Sequence, residues 1–236
     1  VEGGGVYKIY CDALHRGDII VAPSLLTAEI AAAVLPGTRV EVIPYPVFVA
    51  APRSDVGPAL AAKRRRAVSG RPVVFYAGRL SPAKNVHLLV RIFARLKRDH
   101  PLAPLDLAGS WEPGSAGRRY RRLVELLVRR EGISQDVQFS GFLSQTQLRE
   151  RLRAVDLFVS LSLYRHEEFG YTAAQALSAG VPTVVTSWGG GIDFSESGAA
   201  LAVPVRNIAG RPDFEDSEAE KALRSLMDAS ARRRQS

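Results

Sequence analysis

Glu167 and Glu168 stand side by side ahead of Gly170 and an alanine-rich run, and Gln175 follows Glu167 by eight positions. Acids in that place do one of two kinds of work. They complement the dipole of a helix about to begin, or they hold the hydroxyl groups of a ligand. The spacing predicts a helix that starts near Phe169–Gly170, whose first backbone N–H groups are unpaired and form an anion site. Gly170 lets a ligand come close to the backbone. A second group lies in the stretch Gly78-Arg79-Leu80-Ser81-Pro82-Ala83-Lys84. The Arg79 fork and the Lys84 point charge suit phosphate oxygens, or they solvate a loop. Along a helix, eight residues span about 12 Å, on the order of the distance from sugar to ribose in a nucleotide diphosphate sugar. A carboxylate at one end, an amide at the other and cations beside the middle match such a molecule.

These residues need a scaffold, and the pattern around them supplies one. The stretches 18–24, 39–47, 72–78, 105–109, 137–141, 157–162 and 183–187 read as short strands, with helical patterns between most of them. Val86, Leu89, Val90, Phe93 and Leu96 recur at helical spacing and predict one apolar face. Leu123, Leu126 and Leu127 are the expected inward residues of a basic helix further on. Residues 48–70, rich in Pro, Ala and Arg, read as a linker followed by a basic helix. Alternation at this rhythm predicts an α/β fold: a Rossmann-like parallel sheet with helices on both faces, binding ligands at the carboxyl ends of its strands. No internal repeat interrupts it.

The totals narrow the function. The chain has 236 residues, a net charge of +8 and 46% hydrophobic residues, enough for a well-buried core. The arginine clusters favour anionic partners but read first as solvated helix faces. Aromatic residues are not interleaved with them, so a basic nucleic-acid-binding module is the weaker reading. The glycines do not form the dinucleotide turn of an oxidoreductase. The one cysteine, Cys11, leaves no internal disulfide and fits a reducing compartment. His15, His87, His100 and His166 are scattered and give no metal-ligand spacing. No run is long enough for a membrane-spanning helix. Met227 is the only methionine, so the chain is expected to be part of a longer protein, with a cytoplasmic location and an optional peripheral contact with the anionic inner face of a membrane.

The segments FYAGRLSPAKNVHLLVRIFARL and EEFGYTAAQALSAGVPTVVTSWGGG resemble the two signature blocks of the retaining GT-B glycosyltransferases of family 4, also called group 1. DVQFSGFLSQTQLRERLRAVDLFVSLS resembles the stretch between them, and the likeness covers about residues 72–205. The resemblance implies a C-terminal nucleotide-sugar-binding domain over 48–236 and the end of an acceptor-side domain over 1–47. It implies that Arg79 and Lys84 bind the donor diphosphate, that Glu167 touches the transferred sugar with support from the amides of Phe169 and Gly170, and that Gly141, Phe142 and Leu143 lie beside the base. Gln175 falls where the family has a second Glu on the ribose hydroxyls, and Asp193 where it has Glu after a Gly-Gly pair. The implied reaction is metal-independent transfer of a sugar to an acceptor hydroxyl (glycan, lipid-linked or small molecule) with retention. No cofactor is implied beyond the nucleotide sugar itself, and catalysis would rest on Glu167, Arg79 and Lys84. A non-catalytic donor-binding homologue is the alternative that Gln175 raises. Glu168 reads as a dipole or surface residue, and His166 as an exposed loop residue. Tyr164 and Trp188 divide between crevice and packing, and Ser162 between loop and ligand.

Overall fold

A computed structural model of the chain describes residues 14, 17–47, 72–101, 103–164, 166–208 and 211–232. The expected linker and basic helix over 48–70, with Cys11 and His15, lie outside the described residues. Three elements come first: β1 (Ile19–Ala22), α1 (Leu25–Val34) and β2 (Arg39–Val42), with the two strands paired in parallel. The larger body follows as β3 (Val74–Ala77), α2 (Val86–Leu96), β4 (Leu105–Ala108), α3 (Gly114–Arg130), β5 (Val137–Gly141), α4 (Gln145–Ala154), β6 (Leu157–Ser160), α5 (Tyr171–Ser178), β7 (Thr183–Thr186), α6 (Gly191–Glu196) and β8 (Leu201–Val203). A short antiparallel pair, β9 (Arg206–Ile208) and β10 (Arg211–Asp213), leads into α7 (Asp216–Arg232).

The six-stranded sheet runs in the order β5-β4-β3-β6-β7-β8, with every pairing parallel. The expected α/β architecture is therefore present. Alternation along each strand separates two cores. Val74, Leu105, Leu107, Leu157 and Val159 face α2, α3 and α7, while Phe75, Phe158 and Val185 face α4 and α5. The chain winds one way from β3 to β5 and the other way from β6 to β8. Loops leaving the carboxyl ends of β3 and β6 thus diverge and leave a crevice between them, the place where open α/β sheets bind ligands.

α2 buries Val86, Leu89, Val90, Ile92, Phe93 and Leu96, the expected face with Ile92 added. α3 differs from expectation. Its inward residues are Gly117, Tyr120, Val124 and Val128, whereas Leu123 and Leu126 are 45% and 55% exposed. The helix carries two apolar stripes. The one at i, i+4 and i+8 with Gly117 at its head lies against the core, and only Leu127 of the leucines packs partly on it.

The helix after β6 also needs correction. It begins at Tyr171, and Gly170, with φ 78°, is its N-cap. Glu167 therefore precedes the helix, and the helical rise does not measure its separation from Gln175. A side chain would strain Gly170 in this left-handed conformation, so the glycine serves the turn itself.

Candidate functional site

The loops after β3 and β6 are bound to each other before they meet any ligand. Asn85, in a left-handed conformation with φ 53°, donates its side-chain amide to the Leu161 carbonyl at 2.9 Å. The Leu163 N–H donates to the Ala83 carbonyl at 2.9 Å. Lys84 ends a single 3-10 turn opened by Pro82, and that turn aims its amine across the crevice. There it forms an ion pair with Glu167, each side chain only 18% exposed. The amine also lies 5.1 Å from the Tyr164 ring centroid. The Ser162 hydroxyl donates to the same Glu167 oxygen and accepts the Tyr164 N–H.

A third loop sets the height of Glu167. Gly190 donates its N–H to the Glu167 carbonyl at 2.8 Å. A Cβ on Gly190 would stand 2.3 Å from the Phe169 carbonyl carbon, and one on Gly189 would stand 2.1 Å from the Glu167 carbonyl oxygen. The glycine run after β7 thus exists because backbone lies on backbone here. Trp188 donates its indole N–H to the Tyr164 carbonyl at 3.0 Å, which gives it a structural place. Thr186 Oγ1 donates to the Ser162 carbonyl at 2.6 Å. Tyr76, buried below, donates its hydroxyl to the Arg79 carbonyl at 2.8 Å. Burial, and then the Glu167 charge, hold that phenol well above the ordinary tyrosine range.

Above these contacts lies a cavity of about 460 Å³ lined by Arg79, Lys84, Tyr164, His166, Glu167 and Gly170, among others. A neighbouring cavity of about 760 Å³ shares Gly78, Arg79, Glu112, Tyr171 and Thr172 with it and ends at Phe142, Leu143, Gln145 and Gln175. The two form one trough. At one end are the carboxylate and amine, and at the other are amides and exposed apolar surface. Arg79 is exposed where the two join, and among the described residues no carboxylate pairs with its side chain. A group with diffuse negative charge fits beside Arg79 and Lys84.

The structure brings together most of the residues singled out in the sequence. Arg79, Lys84, Glu167 and Gly170 line the first cavity, and Phe142, Leu143 and Gln175 the second. Phe142 is 77% exposed, an aromatic ring left largely to solvent. Gly141 closes β5 beneath it, its carbonyl accepting the Gly109 N–H at 2.7 Å. Phe169 is buried against Phe194, Tyr171 and Tyr45, so its ring belongs to packing, and it is not among the residues that line either cavity. Glu168 is exposed. Asp193 lies away from the trough and accepts the Leu25 N–H at the start of α1, at 3.2 and 3.4 Å. Trp111, Glu112, Tyr171 and Thr172 also line the trough and were not singled out. Trp111 and Glu112 follow the β4 strand end, and that position alone was a usable signal.

The family description "Glycosyl transferases group 1" matches residues 61–233. Mannosylfructose-phosphate synthase of Agrobacterium fabrum is 38% identical over 119 residues, 50% of this chain and 26% of that protein. Glycogen synthase of Mycobacterium tuberculosis is 31% identical over 173 residues, 72% of this chain and 38% of that protein. The chain therefore spans well under half the length of these curated relatives. Among solved structures, Alr3699/HepE of Anabaena, in complex with UDP and glucose, superposes with a TM-score of 0.70 at 19% identity. That alignment covers 94% of this chain and 56% of that one, and at such identity it speaks for the fold. With a parallel sheet split at β3 and β6, a cation–carboxylate pair over the split and a family match across most of its length, the chain belongs to the group 1 glycosyltransferases.

Proposed function

We propose that this chain is the donor-binding part of a retaining, metal-independent glycosyltransferase of family 4, and that its trough holds a nucleotide diphosphate sugar. The observation that carries the proposal is the trough's order of groups. Glu167 stands at one end with Lys84 paired to it, Arg79 where the two cavities join, and Gln175 with Phe142 and Leu143 at the other. Sugar, diphosphate and nucleoside present hydroxyls, negative charge, and a diol with a flat base in the same order. UDP is the first nucleotide to test, because the structural neighbour Alr3699/HepE holds UDP and glucose.

In this reading Glu167 orients the donor sugar through its hydroxyls, with the Phe169 and Gly170 amides beside it. Arg79 and Lys84 stabilise the leaving diphosphate as its charge grows. The carboxylate is already held by Ser162, so little ordering remains for the moment of reaction. Lys84 exchanges its Glu167 contact for the diphosphate, or shares itself between the two. The acceptor is a glycan, a lipid-linked sugar or a small molecule, and its binding belongs to the 1–47 side of the protein.

The test is titration calorimetry with UDP, GDP, ADP and dTDP, without metal. One nucleotide should bind selectively, and Arg79→Ala should weaken it by about 1.5–3 kcal/mol, the range for hydrogen bonds to a charged group. Affinity unchanged by Arg79→Ala would remove that residue from the site. Binding that appears only on adding a divalent cation would refute metal independence.

A further inference from the structure

We propose that the outward face of α3 docks this protein on an anionic lipid surface. The helix turns its Tyr120–Val124–Val128 side inward. On a wheel of 3.6 residues per turn, an arc of about 140° on the opposite side holds Arg118, Arg129, Arg122, Ser115, Leu126, Arg119, Arg130 and Leu123, in that order. All eight are exposed, and the arc contains no carboxylate. Glu125 lies outside it and is held by Arg121 at 2.8 Å, and Glu131, exposed at the C-cap, follows the helix and falls outside the arc on the same wheel. Among the described residues, no ion pair neutralises any of the five arginines. The face was expected to be a solvated charge run with its leucines inside, and the leucines turn out to be on the charged side.

That mixture selects the partner. Arginines alone would suit any polyanion. Leu123 and Leu126, at 45% and 55% exposure, gain nothing against a phosphate backbone, and the arc offers no aromatic ring on which a base could stack. A bilayer with acidic headgroups satisfies both kinds of side chain, with guanidinium groups at the phosphates and leucines at the acyl boundary. The contact would also orient the trough, since Trp111, Glu112 and Pro113 line it immediately before α3 begins.

The test is co-sedimentation of the protein with vesicles of phosphatidylglycerol and phosphatidylcholine, set against vesicles of phosphatidylcholine alone. Binding should occur only to the anionic vesicles and weaken with salt. Arg122→Gln with Arg130→Gln should lower partition about 25-fold, near fivefold for each arginine. Leu123→Ser with Leu126→Ser should lower it as well, at unchanged charge. Nucleotide titration of both variants should match the parent, which separates this surface from the trough and checks folding. Absence of binding to anionic vesicles, equal binding to neutral ones, or insensitivity to either variant would overturn the proposal. So would tight oligonucleotide binding that ignores the leucine changes while vesicles fail to bind, which would make the face a nucleic-acid site.

Discussion

Glu167 is a carboxylate placed by its neighbours more than by its own backbone. Ser162 and Lys84 both reach its Oε2, and Gly190 holds its carbonyl. If it orients a donor sugar, Glu167→Ala should weaken binding of the nucleotide sugar more than that of the bare nucleotide, and equal losses in calorimetry would contradict that place. Ser162→Ala should shift the same difference in the same direction by a smaller amount. Gln175 offers a second residue test. Its amide nitrogen donates to Gln145 Oε1 at 3.0 Å, which leaves its own oxygen for a diol. Gln175→Glu would let the Gln145 amide turn and donate instead, and it would restore a charged acceptor. The expected gain is about 1 kcal/mol for the ribonucleotide and little for its 2′-deoxy analogue. Equal gains would separate Gln175 from the ribose. Arg79, Lys84 and Glu167 stood out in the sequence by type and loop position, whereas Gln175, inside the helix, stood out by its place in the family pattern. That Lys84 and Glu167 form an ion pair was not legible, because the contact spans 83 positions and depends on which strands are neighbours in the sheet.

At the scale of elements, strands were the most readable feature. Runs of β-branched and apolar residues located β3 to β7, those of β3, β4 and β5 ended by glycine, with ends shifted by one or two residues where the ladder stops before the loop. α3 was the least readable, since two stripes compete on one helix and only tertiary packing chooses between them. α7 shows how such choices are locked. Ala219, Leu223 and Met227 are buried against the sheet and α2, and Arg95 of α2 reaches Glu220 at 2.6 Å and Asp216 at 3.5 Å. Arg224 bonds Glu220 at 3.0 Å and also pairs with Asp99. The apolar part should dominate. Leu223→Ala is expected to cost about 2–5 kcal/mol of unfolding free energy, and Leu126→Ala on the outward side of α3 less than about 0.5 kcal/mol. Urea unfolding of the two variants checks this. Similar losses for both would mean that the leucine side of α3 is not solvent-facing.

Among the described residues, a crevice-bearing sheet meets a small β1-α1-β2 unit through aromatic rings and one helix cap. Tyr45 stacks on Tyr171 and meets Phe169 edge-on, and Asp193 caps α1. The fold's stability should therefore follow the larger sheet, and the larger sheet contains the groups that set its response to acid. His87 begins α2 with its backbone N–H donating to the Tyr120 hydroxyl at 3.1 Å and its Nδ1 3.0 Å from that oxygen. Burial, and then the Arg91 charge, lower its pKa from the ordinary 6.5, while burial pushes Tyr120 up to about 12. A lowered histidine pKa means that the unfolded chain takes up the proton first. Its contribution is intact above about pH 6.5 and lost as pH falls through the folded value. Asp106 has the opposite sign. Burial raises its pKa against the lowering effects of Ser140 and Arg151, so the folded state takes its proton first and stability recovers a little as that group titrates. Below the ordinary carboxylate range Glu220, held down by Arg95, and Asp99, held down by Arg224, must be protonated, and their pairings are lost. The expected profile falls first from about pH 6.5, then flattens, then falls again in the carboxylate range. Urea unfolding at closely spaced pH values tests it. His87→Gln keeps a polar group beside Tyr120 and should abolish the first decline while leaving the second. A first decline that persists in that variant would assign it to another group, and a profile flat from pH 7 to 5 in the parent would mean that His87 is solvated in the folded protein.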